Sequence, residues 1–202
     1  SDILSQEVTI SDAPFKRSQF VELTTFTSTD MANIVAKANF ESINMYCESI
    51  LKMIGKKVNN TGSTESGIEV IEDRLQLIGI DKYSYAIHDG SGLSPRNGIT
   101  ANSFTLFVSS MIKRFGIDRL KDLIPQTGKS GTVKSLLAKK SSRGKYYLKS
   151  GSMGRVLTYT GIFEGKSGKW YSICFMSNNH AQGNRKVKIQ AEKIFELLHS
   201  SL

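Results

Sequence analysis

Apolar positions recur along the chain first at helical spacing and later, towards the C-terminus, as strand-like runs. Met31, Ile34, Val35 and Ala38 share one face of a short helix. Ser28, Thr29 and Asp30 precede it as N-cap residues, and Asn39–Ser42 is read as its break. Tyr46, Cys47, Ile50, Leu51 and Ile54 form the buried stripe of a second helix, from about Ile43 to Ile54, with Gly55 as its C′ glycine. Ile68, Ile71, Leu75 and Ile78 mark a third, closed by Gly79. Thr100 caps a fourth through Phe104, Phe107, Val108, Met111 and Ile112, ended by Gly116, and a short fifth over Asp118–Leu123 stops at Pro125.

The pattern then changes. Lys145–Lys149, Val156–Phe163 and Lys169–Ser177 read as strands, and short connections at Ser152–Gly154 and Glu164–Gly168 predict an antiparallel meander. A last helix, Asn184–Ser200, is expected to bury Val187, Ile194, Phe195, Leu197 and Leu198. Helices, then three strands, then a helix argue for an α+β domain. Upstream, Val21–Phe26 alternates enough for a strand, and residues 1–20 hold β-like pieces such as Val8–Ile10.

Composition narrows the class. At 202 residues and 39% hydrophobic content the chain fits one domain with a real core, not a disordered segment. No apolar run reaches the length of a membrane span, and no signal peptide is visible. The chain starts at Ser1, which suggests a processed or truncated piece. The net charge of +9 suits an anionic partner, whether nucleic acid, a membrane surface or a wall polymer, and does not choose between them. The basic residues are densest at Lys129–Lys149 and Arg185–Lys193 and read as solvated faces. A nucleic-acid binder would need aromatics among those basic residues, a Cys/His finger or a reading helix, and none is present. Cys47 and Cys174 lie in apolar surroundings and read as buried thiols in preference to a disulfide or metal pair, although one bridge, and with it an oxidising compartment, is compatible with the count. His88, His180 and His199 lack ligand spacing, so neither a metal nor another cofactor is expected.

Three stretches carry candidate chemistry. Lys149-Ser150-Gly151-Ser152 closes the first strand, where an ammonium beside a hydroxyl can hold a carboxylate. Gly151 has no side chain, so a ligand could approach the backbone closely. The triplet also occurs at Lys129 and Lys166, so alone it is weak evidence. Ser42-Ile43-Asn44 places a hydroxyl and an amide two residues apart where a helix begins; an N-cap is the ordinary role for such a serine. Asp89-Gly-Ser-Gly-Leu-Ser94 is a tight loop, read as support for a site.

In order and spacing these stretches resemble the C-terminal part of the class C low-molecular-mass penicillin-binding proteins, the D-alanyl-D-alanine carboxypeptidase/endopeptidases of the cell wall. Ser42-Ile-Asn44 looks like their Ser-x-Asn motif, and Asp89-Gly-Ser-Gly-Leu like their Asp-Gly-Ser-Gly-Leu segment. Pro125–Val133 resembles the loop before their Lys-Thr-Gly strand, and Lys149-Ser150-Gly151 is similar to that motif, with serine for threonine. The resemblance runs from about Val21 to the end. It implies an antiparallel sheet with helices on one side and the C-terminal helix on the other, as in serine β-lactamases and DD-peptidases.

It also implies a serine that attacks the amide before a terminal D-alanine of a peptidoglycan stem peptide, forms an acyl-enzyme and is acylated by β-lactams. Ser42 would relay a proton to the leaving amine, and Asn44 would orient the substrate amide and the active lysine. Lys149 and Ser150 would hold the terminal carboxylate, and the backbone N–H of Ser152 would supply one oxyanion donor. A periplasmic or cell-envelope location follows from the same resemblance.

Family members carry the nucleophile in a Ser-x-x-Lys motif upstream of Ser-x-Asn. The matches in this chain, Ser49–Lys52, Ser110–Lys113 and Ser142–Lys145, all follow Ser42 and are in the wrong order. Residues 1–202 are therefore expected to be the C-terminal part of a penicillin-binding DD-peptidase domain, inactive alone and partnered by the remaining N-terminal part. Residues 1–20 would cover some of the edge that three strands leave open. The alternative is a non-catalytic module that binds wall peptide.

Overall fold

The computed structural model describes residues 21 and 24–202. Six helices are formed there: α1 (Met31–Glu41), α2 (Asn44–Asn59), α3 (Thr64–Leu77), α4 (Ala101–Phe115), α5 (Ile117–Leu123) and α6 (Asn184–Ser201). A two-residue ladder pairs β1 (Tyr85–Ala86) with β2 (Gly98–Ile99). The main sheet is an antiparallel meander of β3 (Tyr146–Met153), β4 (Val156–Glu164) and β5 (Trp170–Asn178), in that order.

Each face of the sheet carries its own core. On one side α6 lays Val187, Ala191 and Phe195 against Leu148, Leu157, Tyr159 and Phe163. Tyr146 is fully buried there, stacked on Phe163 at 4.8 Å, and its hydroxyl donates to the Phe195 carbonyl at 2.5 Å. On the other side Val108 of α4 and Leu120 of α5 pack on Ile162, with Tyr147 and Trp170 around them. The α+β architecture is as the element order predicts, and α6 packs on the face opposite α4 and α5, as the resemblance implies.

Several local expectations are corrected. Val8–Ile10 lies outside the described residues, and so do Glu22 and Leu23 of the expected strand at Val21–Phe26. Among the described residues Val21 and Thr24–Phe26 are neither strand nor helix, and Val21 and Phe26 are almost wholly exposed. Helix α1 does not break at Asn39, because that amide donates to the Leu123 carbonyl at 2.9 Å instead of competing for its own backbone. On α6, Val187, Ala191, Phe195 and Leu198 form one stripe, so Ile194 and Leu197, about 100° around the helix from Phe195 and Leu198, stay exposed. Strand β3 runs four residues past Lys149 before turning at Gly154–Arg155, which makes Gly151 and Ser152 part of the strand.

The largest correction concerns Gly55. Helix α2 does not end there but continues to Asn59. A Cβ at Gly55 would lie 2.7 Å from the Gly67 nitrogen, and one at Gly67 would lie 2.2 Å from the Leu51 carbonyl oxygen. The two glycines bring the α2 and α3 backbones into contact. Gly67→Ala is therefore expected to cost about 1–3 kcal/mol by overpacking, read as a lowered thermal midpoint. Gly62→Ala, with nothing closer than 3.8 Å to its new carbon, should change stability by less than about 0.5 kcal/mol.

Candidate active site

The sequence places Ser42 and Lys149 107 residues apart; the fold joins them. Lys149 Nζ donates to Ser42 Oγ at 2.8 Å and to the Ser150 carbonyl at 2.8 Å. Two of the three ammonium N–H groups are thus used, and one remains for a ligand. No carboxylate pairs with this lysine among the described residues. Burial pushes its pKa below the ordinary value of 10.5, opposed by the nearby Cys47. Burial raises the Cys47 thiol in turn, with Lys149 working against it. Cys47 is free and half-buried, as is Cys174, but it is also a wall of this site, which its apolar sequence surroundings do not reveal.

Ser42 is not the N-cap of α2. It terminates α1 in the left-handed region, φ 56°, and Ile43 occupies the N-cap position of α2 without a side-chain cap. A serine held at positive φ is uncommon and costs of order 1 kcal/mol. Here it leaves the hydroxyl free to accept from Lys149 instead of capping a helix. Asn44, the first residue of α2, is exposed and its amide has no partner among the described residues. It sits one helical turn before Glu48, a residue that no local motif marks. Glu48 accepts from the N–H groups of Gly90 (3.2 Å) and Ser91 (2.9 Å).

That contact docks the Asp89–Ser94 loop on α2. Gly90 lies so close that a Cβ would be 2.6 Å from the Cys47 carbonyl oxygen. The loop is closed by Asp89, which accepts from the N–H groups of Gly92 and Ser94 and from the Asn97 amide at 2.5, 2.6 and 3.0 Å. Burial pushes the Asp89 pKa up, but these hydrogen bonds outweigh it and hold the carboxyl below its ordinary range.

The strand side is equally specific. Thr127 N–H donates to the Tyr146 carbonyl, and Leu148 N–H donates to the Pro125 carbonyl, each at 2.9 Å. The segment before the Gly131–Val133 turn thus covers the first half of the outer β3 edge. By strand alternation the N–H groups of Ser150 and Ser152 also face outwards. Thr132 and Ser150 share a hydroxyl–hydroxyl bond of 2.7 Å, so Thr132, inside the recognised loop, joins the site. Ser152 Oγ accepts from Asn184 Nδ2 at 2.7 Å. On the side where a Cβ would stand, Gly151 faces Thr158 of β4, whose Oγ1 would lie 2.6 Å from the added carbon.

The Ser-x-x-Lys pairs fall elsewhere in the structure. Ser142 is buried, and both its N–H and its hydroxyl bond Glu196, while Lys145 pairs with Glu164 at 2.8 Å. Ser49 lies within α2 and Ser110 within α4. No group of three or more His, Cys, Asp or Glu side chains able to hold a metal occurs among the described residues, and no described helix is long and apolar enough to cross a membrane.

Residues 3–198 match the profile of the D-Ala-D-Ala carboxypeptidase 3 (S13) family. A D-alanyl-D-alanine carboxypeptidase of Actinomadura is 24% identical over 160 residues, 77% of this chain and 30% of that protein. A carboxypeptidase of Mycolicibacterium smegmatis is 28% identical over 145 residues, 69% of this chain and 32% of that one. The chain thus spans about a third of the length of these curated relatives. The fold is shared with penicillin-binding protein 4 of Haemophilus influenzae, solved in complex with a β-lactam: TM-score 0.74, 20% identity, 83% of this chain and 41% of that one.

The state of Lys149 has a measurable consequence. Between its lowered folded pKa and the unfolded 10.5, the unfolded chain holds a proton that the folded lysine has released, so stability rises with pH across that window. Below it the buried ammonium is a cost. Lys149→Met is expected to unfold at a higher temperature than the parent at pH 7, with the gap closing as pH approaches 10.5. Thermal melts of both proteins across that range check this.

Proposed function

The chain belongs to the D-Ala-D-Ala carboxypeptidase 3 (S13) family, and on that premise we propose that it carries the proton-relay and carboxylate-binding half of a serine peptidase site for peptidoglycan stem peptides. The supporting observation is the 2.8 Å contact of Lys149 with Ser42, made by an ammonium that has no carboxylate partner among the described residues and one N–H to spare. Such a group, beside the Ser150 hydroxyl, suits the terminal carboxylate of a peptide.

The attacking serine is not one of these 202 residues. Its hydroxyl oxygen bonds to the carbonyl carbon before the terminal D-alanine, and the C–N bond breaks. Ser42 relays a proton to the departing amine, while Asn44 orients the substrate amide and the active lysine. The outward N–H of Ser152 donates to the developing oxyanion, and water then hydrolyses the ester. β-Lactams acylate the same serine. The compartment is the cell envelope, where the polymer lies.

Intact mass after incubation with a penicillin tests this reading. The complete protein is expected to gain one adduct and the 202-residue chain none. In the complete protein Lys149→Ala and Ser42→Ala should each slow acylation by roughly 10²–10³-fold, while Ser49→Ala and Ser110→Ala leave it unchanged. An adduct on a serine of the 202-residue chain alone would overturn the assignment of the nucleophile. No adduct on either would point to a binding module without catalysis.

A further inference from the structure

The positive charge of the chain is unevenly placed. Residues 1–122 hold 15 acids against 13 lysines and arginines, whereas residues 123–202 hold three acids against 14, so the net +9 belongs wholly to the second part. Its two densest basic stretches, Lys129–Lys149 and Arg185–Lys193, are far apart in sequence, and the fold sets them side by side. Segment 134–143 runs along α6: Lys188 Nζ donates to the Ser135 hydroxyl, Leu137 N–H to Glu192 and the Ser141 hydroxyl to Glu196, each at 2.9 Å. All three acids of this part are engaged. Glu192 and Glu196 accept from the segment, and Glu164 pairs with Lys145 at 2.8 Å. The side chains of Lys134, Lys139, Lys140, Arg185, Lys186 and Lys193 are instead exposed, with no hydrogen-bond or ion-pair partner among the described residues. Arg185 to Lys193 covers about 12 Å of helix, so these charges form a band. One end of it lies two residues past Thr132, which bonds Ser150.

We propose that this band is a docking surface for a linear polymer that carries phosphate groups. A row of like charges with every nearby acid turned inwards attracts a polyanion and gains from the counterions it releases. Five of the six free cations are lysines. A lysine is a point charge that takes a phosphate oxygen from many directions, whereas planar carboxylates favour the guanidinium fork. A lipid surface would need apolar anchors beside the charges, and between Phe115 and Lys193 the one large apolar side chain that is exposed is Ile189. A single-stranded nucleic acid would need aromatics on which bases stack, and none is exposed over the same span. The band shares no residue with the Lys149 site, so docking is read without turnover and stands apart from the peptidase reading.

The test mixes the complete protein with end-labelled long-chain inorganic polyphosphate and follows fluorescence anisotropy over a salt series. Binding is expected, with the logarithm of the affinity falling linearly against that of the salt concentration. Lys139→Gln/Lys140→Gln and Arg185→Gln/Lys193→Gln should each weaken binding about tenfold and reduce the salt slope by about one to two. Lys52→Gln/Lys57→Gln on α2 removes the same charge elsewhere and should leave binding unchanged. The side chains replaced in the band bond nothing, so those variants are expected to melt with the parent. No binding by the complete protein, or equal weakening by all three double variants, would overturn the surface. Tighter binding to phosphatidylglycerol vesicles or to single-stranded DNA than to polyphosphate would overturn the choice of partner.

Discussion

A single ammonium, Lys149, is held between two layers with no counter-charge among the described residues. It leaves β3 on the face opposite α6, meets Ser42 at the α1–α2 junction and caps the carbonyl of its own neighbour, Ser150. Burial disfavours its charge, so the fold tolerates a destabilising group at this point. Two hydrogen bonds offset part of that cost. The rest of the arrangement fixes the position of that charge: the helix junction, the covered half of the strand edge and the loop docked on α2.

Glycines set that position because they let backbones touch. Gly55 and Gly67 close α2 on α3, and Gly90 brings the Asp89 loop onto Cys47. Gly131, at φ 56°, sits where a Cβ would lie 2.8 Å from the Phe40 carbonyl oxygen, two residues from Ser42. These contacts leave little slack, so the helices bearing Ser42 and Asn44 are placed against the sheet by hard-core repulsion as well as by apolar burial. Glu48 adds a polar tie by accepting two loop N–H groups, which would otherwise lack partners at the joint.

The two sides of the site differ in kind. The strand side offers groups fixed by the ladder: the outward N–H groups at Ser150 and Ser152 and a hydroxyl bonded to Thr132. The helical side offers a hydroxyl at a strained backbone position and an exposed amide, Asn44. Fixed donors suit an accumulating negative charge, and a hydroxyl held by an ammonium suits proton relay. The family match spans residues 3–198, and the chain covers about a third of the length of the curated relatives.

The sequence by itself determined the element order, the meander and the three polar stretches, because periodicity and turn residues are local signals read within a few residues. It misjudged Gly55, since a glycine that stops a helix and one that admits a neighbouring helix look alike until the neighbour is in place. That Thr158 of the next strand fills the space on the Cβ side of Gly151 is likewise set by the neighbouring element. Glu48, Thr132 and the proximity of Cys47 to Lys149 depend on contacts between separate elements, 18 residues apart for Thr132 and Ser150 and 43 for Glu48 and Ser91, and no local pattern marks them. Only the tertiary structure decided that Ser42 ends one helix without capping the next and accepts its hydrogen bond from Lys149. Chain order lists the chemical groups, but their distances come from packing two faces of a sheet, which couples residues far apart along the chain.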